Sequence, residues 1–286
     1  MVPMGMSREI DVMHLGRSRV ICAHEVDGLV VDPGPTSAID TLLEALGDEE
    51  PRALLLTHIH LDHAGASGSL VQRFPHLKVY VHERGAPHLI DPSRLLKSAK
   101  QLYKDDMDRL WGEMVPVPEE NIQALSGGET VEGFRVEYTP GHASHHVSYL
   151  HEDTGDAYVG DTAGVRIPPN EYVMSPTPPP DIDIEKWNAS LDIIEGWQPQ
   201  RLRLTHFGAY DNVDEHITHL RGRLAAWGEV AKASDMDRFI EVMRAELGAS
   251  VDDGSLECYF QAAPPDQMYL GLDRYWSKKA EREAVG

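Results

Sequence analysis

The sequence predicts an α/β protein in which two layers of mixed β-sheet carry helices on their outer faces. Three observations favour this class. Residues 53–56 form a short, fully apolar run, which is typical of a strand covered on both faces. A polar loop, a helical pattern and another strand-like segment follow in that order. Strand-like segments resume near Thr130, and helical periodicity dominates from Asp211 onward.

The first third of the chain predicts strands joined by tight turns. Apolar-rich residues 20–26 and 29–31 flank Asp27-Gly28, a pair that supplies the positive φ angles of a hairpin turn. The Pro- and Gly-rich residues 32–35 then break the sheet. Ser37 is placed to cap the helix that follows.

Helices and strands alternate through the rest of the chain. Residues 68–74 predict a helix, and residues 85–122 predict an insertion of amphipathic helices rich in Leu, Met and Trp. The Pro-rich residues 173–180 are expected to be extended, and another helix is expected from about Asp183. Further strands are predicted at residues 78–82, 130–138, 147–151, 157–159 and 201–205.

Composition and charge exclude several classes of partner. No apolar run approaches the roughly 20 residues that cross a bilayer, and residues 1–13 lack the apolar core of a signal peptide. The formal charge of −21 repels phosphate backbones and anionic membranes. Cys22 and Cys258 are far apart and are expected to be reduced thiols. The sequence therefore predicts a cytoplasmic protein that binds neither nucleic acid nor a membrane.

Four potential metal ligands occur within six positions directly after the apolar strand at 53–56. His58 and His60 are two residues apart at a strand end, so both imidazoles can point toward a single ion. Asp62 and His63 follow where the chain turns into a helix, and their side chains can reach a second ion. Nitrogen and carboxylate ligands suit zinc, and also iron or manganese.

This segment, Thr-His-Ile-His-Leu-Asp-His-Ala-Gly at 57–65, resembles the signature of the metallo-β-lactamase superfamily. Three later segments, at 139–142, 159–162 and 204–208, are similar to the family's later motifs and occur in its order. The resemblance implies a four-layer αββα sandwich with metal ligands at the sheet edges. It further implies a catalytic domain over residues 1–215, interrupted by the 85–122 insertion and followed by a helical extension over 216–286.

The resemblance also implies a ligand set for two divalent ions, with zinc expected and iron or manganese as alternatives. One ion is assigned His58, His60 and His142, the other is assigned Asp62, His63 and His206, and Asp161 bridges them. Asp32, in an early Asp-x-Gly turn, is expected to orient a ligand histidine, with a plain turn residue as the alternative. His146 matches a second histidine of many relatives, whereas His145 replaces the glycine usual there.

Two adjacent cations lower the pKa of a shared water, so a metal-bridging hydroxide is expected to attack the substrate. Asp62 is placed to orient this hydroxide and to carry a proton to the leaving group. Asp161 argues against β-lactam hydrolysis, because the zinc β-lactamases lack a bridging Asp at this position. Gly164 stands where quorum-signal lactonases often carry a tyrosine. The favoured function is hydrolysis of a small ester, lactone or thioester.

Two other functions remain open from the sequence. Persulfide dioxygenases resemble these hydrolases and use mononuclear iron, and a non-catalytic metal-binding protein is the second alternative. The sequence also leaves a homodimer open.

Several side chains around the motifs have weaker assignments. The 85–122 insertion is expected to overhang the metals. Nine of its apolar and aromatic side chains either line an apolar acyl pocket or pack the insertion's own helices, and the second role is expected for most of them. They are Leu89, Leu95, Leu96, Leu102, Tyr103, Met107, Leu110, Trp111 and Met114. Tyr172 and Tyr210 are candidate substrate contacts because they lie close in sequence to Asp161 and His206. His216 and His219 are expected to be solvated. The remaining histidines have no ligand-like neighbours in the sequence; they are His14, His24, His76, His82, His88 and His151.

Overall fold

Two six-stranded mixed β-sheets form the centre of the computed structural model, which describes residues 5–285. In the first sheet the strands lie side by side in chain order. Its first three strands are antiparallel, and the pairs from the third strand to the sixth are parallel. These strands are β1 (Arg8–Asp11), β2 (Cys22–Val26), β3 (Leu29–Val31), β4 (Ala53–Leu55), β5 (Lys78–His82) and β6 (Ile122–Leu125).

The second sheet also keeps its strands in chain order across the layer. Its strands pair antiparallel except for one parallel pair, the fourth strand with the fifth. They are β7 (Thr130–Val131), β8 (Phe134–Tyr138), β9 (Val147–His151), β10 (Asp156–Tyr158), β11 (Arg201–Leu204) and β12 (Gly208–Tyr210).

Side-chain alternation along the strands builds two cores. Ala53 and Leu55 of β4 join a cluster made only of strand residues from the two sheets, so this cluster fills the space between them. Leu54 and Leu56 point the opposite way and join the larger core under the helices. The apolar run is therefore covered on both faces, and the predicted α/β sandwich of two mixed sheets with flanking helices is confirmed.

Eleven α-helices within residues 5–285 cover the sheets and the sheet edge. They are α1 (Ile39–Leu46), α2 (Leu61–Ala64), α3 (Ser67–Arg73), α4 (Ala86–Ile90), α5 (Ser93–Tyr103), α6 (Met107–Trp111), α7 (Ile184–Gly196), α8 (Val213–Ala233), α9 (Met236–Ser250), α10 (Asp253–Ala262) and α11 (Pro265–Val285). None of these helices is long and apolar enough to span a bilayer.

The local turn chemistry agrees with the sequence at two element ends and differs from it at a third. Asp27 and Gly28 have φ angles of 51° and 75° and close the β2–β3 hairpin. The carboxylate of Asp183 accepts a hydrogen bond from the backbone N–H of Lys186 and so caps α7. Ser37 does not cap α1, because it lies in a 3₁₀ turn and its hydroxyl donates to the carbonyl oxygen of Leu110 at 2.6 Å.

The insertion folds into α4, α5 and α6, followed by an extended stretch that leads into β6. At the other end of the chain, α8 contacts α7, and α11 contacts both α8 and α9. Helix α11 also approaches the Pro-rich segment closely, because the hydroxyl of Thr177 donates to the carbonyl oxygen of Met268 at 3.1 Å. Strands β1, β6 and β12 are too short or too polar to show as strands in the sequence.

Candidate metal centre

The structure brings together all seven side chains that the sequence singles out as metal ligands. His58 follows β4, His142 lies between β8 and β9, and Asp161 follows β10 in a 3₁₀ turn. His206 lies between β11 and β12. Both sheets therefore contribute residues to one edge of the sandwich, where the potential ligand atoms form two groups, each within 4.8 Å.

Three imidazole nitrogens converge in the first group. The Nδ1 atom of His60 lies 2.9 Å from Nε2 of His58 and 3.0 Å from Nε2 of His142. Because a ring nitrogen offers a single proton or a single lone pair, Nδ1 of His60 cannot satisfy both neighbours by hydrogen bonding. Oδ2 of Asp161 completes the group at 3.3 Å from Nε2 of His142. This donor set fits a divalent cation.

The second group contains a carboxylate and two more histidines. Oδ2 of Asp62 lies 3.3 Å from Nε2 of His206 and 3.9 Å from Nε2 of His63. Oδ1 of Asp161, the other oxygen of that carboxylate, lies 3.4 Å from Nε2 of His63 and 3.6 Å from Nε2 of His206. Asp161 thus directs one oxygen at each group.

Buried polar atoms without partners provide a further test of whether the residues fit a metal. Among residues 5–285, Nε2 of His63, Nε2 of His206 and Oδ1 of Asp161 are buried and make no hydrogen bond. Leaving a buried polar atom unpaired costs about 1–3 kcal/mol. Three such atoms aimed at one point are explained by a cation that they would coordinate.

Hydrogen bonds on the far side of the rings set their orientation. Nδ1 of His63 donates to Oδ2 of Asp32 at 2.8 Å, and Nδ1 of His142 donates to the carbonyl oxygen of Pro176 at 2.9 Å. Nδ1 of His206 donates to the carbonyl oxygen of Val20 at 2.6 Å. These bonds place the proton on Nδ1, so each Nε2 presents its lone pair to the site.

Asp32 lies directly behind the site and is completely buried. Besides His63, its carboxylate accepts hydrogen bonds from the Thr57 hydroxyl at 2.6 Å, the Thr57 backbone N–H at 2.8 Å and the Thr205 hydroxyl at 2.7 Å. Its φ angle of 47° is unusual for a residue other than glycine. The carboxylate therefore joins the ends of β4 and β11 to one histidine of the second group.

The electrostatics of the two groups differ. Burial lowers the pKa of His58 well below its usual range and the pKa of His60 to about 4, so both imidazoles are neutral. Burial would also lower the pKa of His63, but the carboxylates of Asp161, Asp62 and Asp32 raise it well above its usual range. The second group therefore carries an excess of negative charge that a cation would neutralise.

Two more histidines stand next to the first group. His146 is buried, its ring stacks on that of His58 at a centroid distance of 4.9 Å, and its Nδ1 contacts the Thr139 hydroxyl at 3.0 Å. The ring of His145 lies edge-on to His60 at 5.7 Å. His145 also borders the open space in front of the site, whereas His146 supports the site from behind.

A cavity of about 550 Å³ opens in front of the two groups. His60, Asp62 and Asp161 form part of its wall, and the insertion and residues 261–268 cover it. More of the insertion faces the cavity than the sequence suggested, since five of its nine noted apolar or aromatic side chains line the wall. These five are Leu95, Leu102, Tyr103, Leu110 and Trp111.

The structure places both tyrosines that were predicted to contact substrate outside the wall of this cavity. Neither Tyr172 nor Tyr210 lines the cavity. The hydroxyl of Tyr172 donates to Glu246 at 3.1 Å, and that of Tyr210 donates to the carbonyl oxygen of Arg166 at 2.6 Å. Proximity in the sequence was misleading, because the chain leaves the sheet edge within a few residues of each motif.

Several histidines outside the motifs lie in places that the sequence did not predict. His216 was expected to be solvated, but it is buried and its Nε2 donates to the carbonyl oxygen of Ala163 at 2.8 Å. His219 is exposed as expected. His14 and His88 line the cavity, although no signal in their sequence neighbourhoods indicates this. Only the packing of distant segments places them there.

Comparison with known proteins agrees with the geometry. Residues 19–202 match the family model of the metallo-beta-lactamase superfamily. The metallo-beta-lactamase fold-containing protein ST1585 of Sulfurisphaera tokodaii is 30% identical over 176 residues, which cover 58% of this chain and 65% of that protein. The hydroxyacylglutathione hydrolase of Thermosynechococcus vestitus is 32% identical over 133 residues, which cover 46% of this chain and 42% of that one. This chain thus spans less than two thirds of the length of either relative.

Solved structures show the same fold. The crystal structure of ST1585 from Sulfolobus tokodaii superposes with a TM-score of 0.71 at 22% identity, over 96% of this chain and all of that one (100%). The crystal structure of TTHA1623 in a di-iron-bound form superposes with a TM-score of 0.52 at 25% identity, over 67% of this chain and 87% of that one. By its matching family model, its motifs and its fold, the chain belongs to the metallo-β-lactamase superfamily.

Proposed function

We propose that this protein is a hydrolase that uses two divalent metal ions to cleave a small ester, lactone or thioester. The observation that carries the proposal is the division of seven converging side chains into two groups that share Asp161. A single ion would leave the second group of buried, unpaired atoms unexplained. This group favours a two-metal site over a mononuclear one.

The proposed ligand sets follow the two groups. His58, His60 and His142 would hold one ion, Asp62, His63 and His206 the other, and Asp161 would bridge them. Nitrogen and oxygen donors fit zinc, with iron and manganese as alternatives. The di-iron form of TTHA1623 supports a pair of ions in this fold.

The protein's own residues would prepare the reaction. When bound, the two ions would lower the pKa of a shared water and polarise the scissile carbonyl group. Asp62 faces both the second group and the cavity, and 19% of its side chain is exposed. Its carboxylate is therefore placed to orient the attacking water and to carry a proton to the leaving group. Asp32 would hold His63 in the required tautomer.

The cavity supports an acyl substrate. Leucine and aromatic side chains of the insertion and a row of prolines form much of its wall, which suits an apolar acyl chain. The similarity to a hydroxyacylglutathione hydrolase points to the same bond class. We further propose that residues 1–215 form the catalytic domain, and that the 216–286 extension completes the cavity through residues 261–268.

Metal analysis combined with activity profiling tests the proposal. The purified protein should contain about two divalent ions per chain and should hydrolyse members of a panel of esters, lactones and thioesters of increasing acyl length. His60→Ala and Asp161→Ala should each lose at least about a hundredfold in kcat/KM while retaining the fold, because each removes a ligand. His219→Ala changes an exposed histidine and serves as the matched control.

Other results would overturn the proposal. Wild-type rates in both ligand variants would exclude the mechanism. About one iron per chain, with oxygen-dependent oxidation of a persulfide, would favour the dioxygenase alternative. Two bound ions without turnover on the whole panel would indicate a metal-binding protein that is not an enzyme of this class.

A further inference from the structure

The cavity beside the metal centre has two ends of different chemical character. At one end lie Tyr103, Trp111 and His14, whose ring stacks on Trp111 at 5.4 Å. Burial lowers the pKa of His14 and raises that of Tyr103, and the nearby charge of Asp62 acts on both groups. This aromatic end therefore adjoins the second metal-ligand group.

The other end of the cavity is basic and adjoins the first group. His145, which contacts the ring of His60, faces the cavity there. Arg84, His88 and Arg94 extend the wall beyond it.

Helix α5 connects the two ends. Its cavity face begins with Arg94 and continues through Ser98 to Leu102 and Tyr103, at the spacing of successive helical turns. Nine residues separate Arg94 from Tyr103, which corresponds to a length of roughly 13 Å along the helix. The cavity thus offers a cation at one end of this span and an aromatic hydroxyl at the other.

The guanidinium of Arg94 is not neutralised by an ion pair within the described part of the chain. Within residues 5–285 its guanidinium makes neither a hydrogen bond nor an ion pair, and the residue is exposed. It occupies the first turn of α5, where the helix dipole favours an anion and disfavours a cation. The carboxylate of Asp91 caps this turn by accepting a hydrogen bond from the backbone N–H of Ser93 at 3.1 Å. Arg94 is close enough for its charge to help lower the pKa of Asp91, after the larger effect of the hydrogen bonds from Ser93, but the two side chains do not form an ion pair.

The guanidinium group of Arg84 is held in place by packing, but its charge is not neutralised by an ion pair within the described residues. Its guanidinium lies over the ring of Tyr138 at 5.7 Å from the centroid, a contact that leaves its N–H donors free. No carboxylate within residues 5–285 forms an ion pair with it. The stacking contact holds one flat cation at the cavity wall with its donors available.

The acidic residues of the cavity wall are engaged elsewhere. Asp181 accepts two hydrogen bonds from Ser144, and Asp106 accepts one from Arg109 at 3.0 Å. The remaining two, Asp62 and Asp161, belong to the metal centre. Arg84 and Arg94, the two arginines of this wall, therefore form no ion pair with any of its four aspartates.

We propose that Arg84 and Arg94 bind an anionic group of the substrate, a carboxylate or a phosphate, while the scissile acyl bond lies at the metal centre. The acyl part lies against Tyr103 and Trp111. This inference rests on the proposed hydrolase function and narrows its substrate class to an amphipathic ester or thioester. The anionic group belongs to the leaving half of the substrate and lies at a distance from the reacting carbonyl.

Matched thioesters test this recognition. Their leaving thiols end in a carboxylate, a phosphate or a neutral carboxamide, with spacers of varied length. With the metal-loaded wild-type enzyme, kcat/KM for an anionic member should exceed that for the carboxamide by about tenfold or more. Arg84→Gln and Arg94→Gln should each remove most of that preference by lowering kcat/KM for the anionic member toward the value for the carboxamide. Lys97→Gln, an equal change of charge at an exposed α5 position outside the cavity wall, should keep the preference.

A binding measurement separates this proposal from the hydrolase proposal. Non-hydrolysable thioethers of the same series are titrated calorimetrically into metal-loaded wild-type and variant proteins. Tighter binding of an anionic thioether that is lost in Arg94→Gln supports the arginine site, even if no thioester is turned over. Preference for the carboxylate or the phosphate identifies the anion. Equal affinity for the anionic and neutral thioethers, or an equal loss in Lys97→Gln, overturns the site.

Discussion

At the scale of single residues, the centre depends on acceptors that hold each imidazole in one tautomer. Nδ1 of His63 donates to the carboxylate of Asp32, and those of His142 and His206 donate to backbone carbonyl oxygens. Nδ1 of His58 lies 3.1 Å from the Thr57 hydroxyl, which itself donates to Asp32. The backbone carbonyls that serve His142 and His206 cannot be removed by substitution. Asp32 is therefore a position at which a substitution can change the orientation of a proposed ligand, His63.

We predict that Asp32→Asn selectively weakens the second metal site. The amide would place an N–H₂ group among three donors, from His63, Thr57 and Thr205, that all require an acceptor. The affinity for the second ion should fall by about 10–100-fold, while the first ion remains bound. Titration against a competing chromophoric chelator measures both affinities.

Thr205→Ser is the matched control for this experiment. It retains the hydroxyl that donates to Asp32, so both metal affinities should stay close to those of the wild type. An Asp32→Asn protein with an unchanged second affinity would show that the carboxylate does not orient His63.

We predict that buried His216 contributes to acid destabilisation. Burial lowers its pKa from 6.5 to about 4 in the folded state. The unfolded chain therefore binds a proton first as the pH falls, and stability is lost between pH 6.5 and 4. The loss from about pH 7 to about pH 4.5 is on the order of 2–3 kcal/mol.

Urea unfolding at the two pH values in the presence of a chelator measures this contribution. His216→Gln should be less stable near neutrality but should lose less stability on acidification. His219→Gln, which replaces the exposed histidine on the same helix, should show the wild-type pH dependence. The assignment fails if the two variants respond to pH in the same way.

At the scale of elements, the approach of α11 to the Pro-rich segment builds one wall of the cavity. Gly271 lies so close to this segment that an added Cβ would meet the carbonyl oxygen of Thr177 at 2.0 Å. The neighbouring residues Pro176 and Pro178 line the cavity. The helix can therefore reach this depth only because the residue at this position has no side chain.

We predict opposite effects of alanine at two helical glycines. Gly271→Ala should destabilise the fold by about 1–3 kcal/mol, because α11 must move away from Thr177. The same variant should raise KM, since the cavity wall moves with it. Gly222→Ala in α8, where no atom lies within 4 Å of the added Cβ, should stabilise the fold by about 0.5–1 kcal/mol.

Thermal unfolding and steady-state kinetics of the two variants check both statements. Equal stabilities would mean that the contact at residue 271 relaxes without cost. A destabilised Gly271→Ala with unchanged KM would separate the packing of α11 from the shape of the cavity.

At the scale of the whole molecule, the main features are the net charge of the surface and the packing of distant segments against one another. Forty-seven acidic against 26 basic residues give a net charge of −21, and like charges repel across the folded surface. Salt shortens the range of this repulsion from about 30 Å at 0.01 M to about 3 Å at 1 M.

We predict that sodium chloride raises the thermal midpoint of the metal-saturated protein by several degrees between low ionic strength and about 0.5 M. Differential scanning calorimetry measures the shift. A neutral cosolute at the same osmolality does not screen charge and should reproduce little of it. A midpoint that falls with salt would mean that attractive ion pairs outweigh the net repulsion.

The sequence by itself determined the fold class and singled out the residues of the candidate metal centre. The apolar run at β4 and the His58–His63 cluster are local patterns, because strand periodicity and ligand spacing depend on neighbouring residues. The resemblance in motif order then joined His142, Asp161 and His206 to that cluster. The structure places these side chains within a few ångströms of one another.

Only the tertiary structure decided which residues surround the substrate space. His14, Arg84, Arg94 and residues 261–268 come from segments far apart in the chain, and no spacing rule links them. For the same reason the sequence could not show that Tyr172 and Tyr210 lie outside the cavity wall or that His216 is buried, since the direction of a side chain depends on how distant elements pack. The cluster from His58 to His63 follows from short-range geometry, whereas the cavity follows from the assembly of separate segments around it.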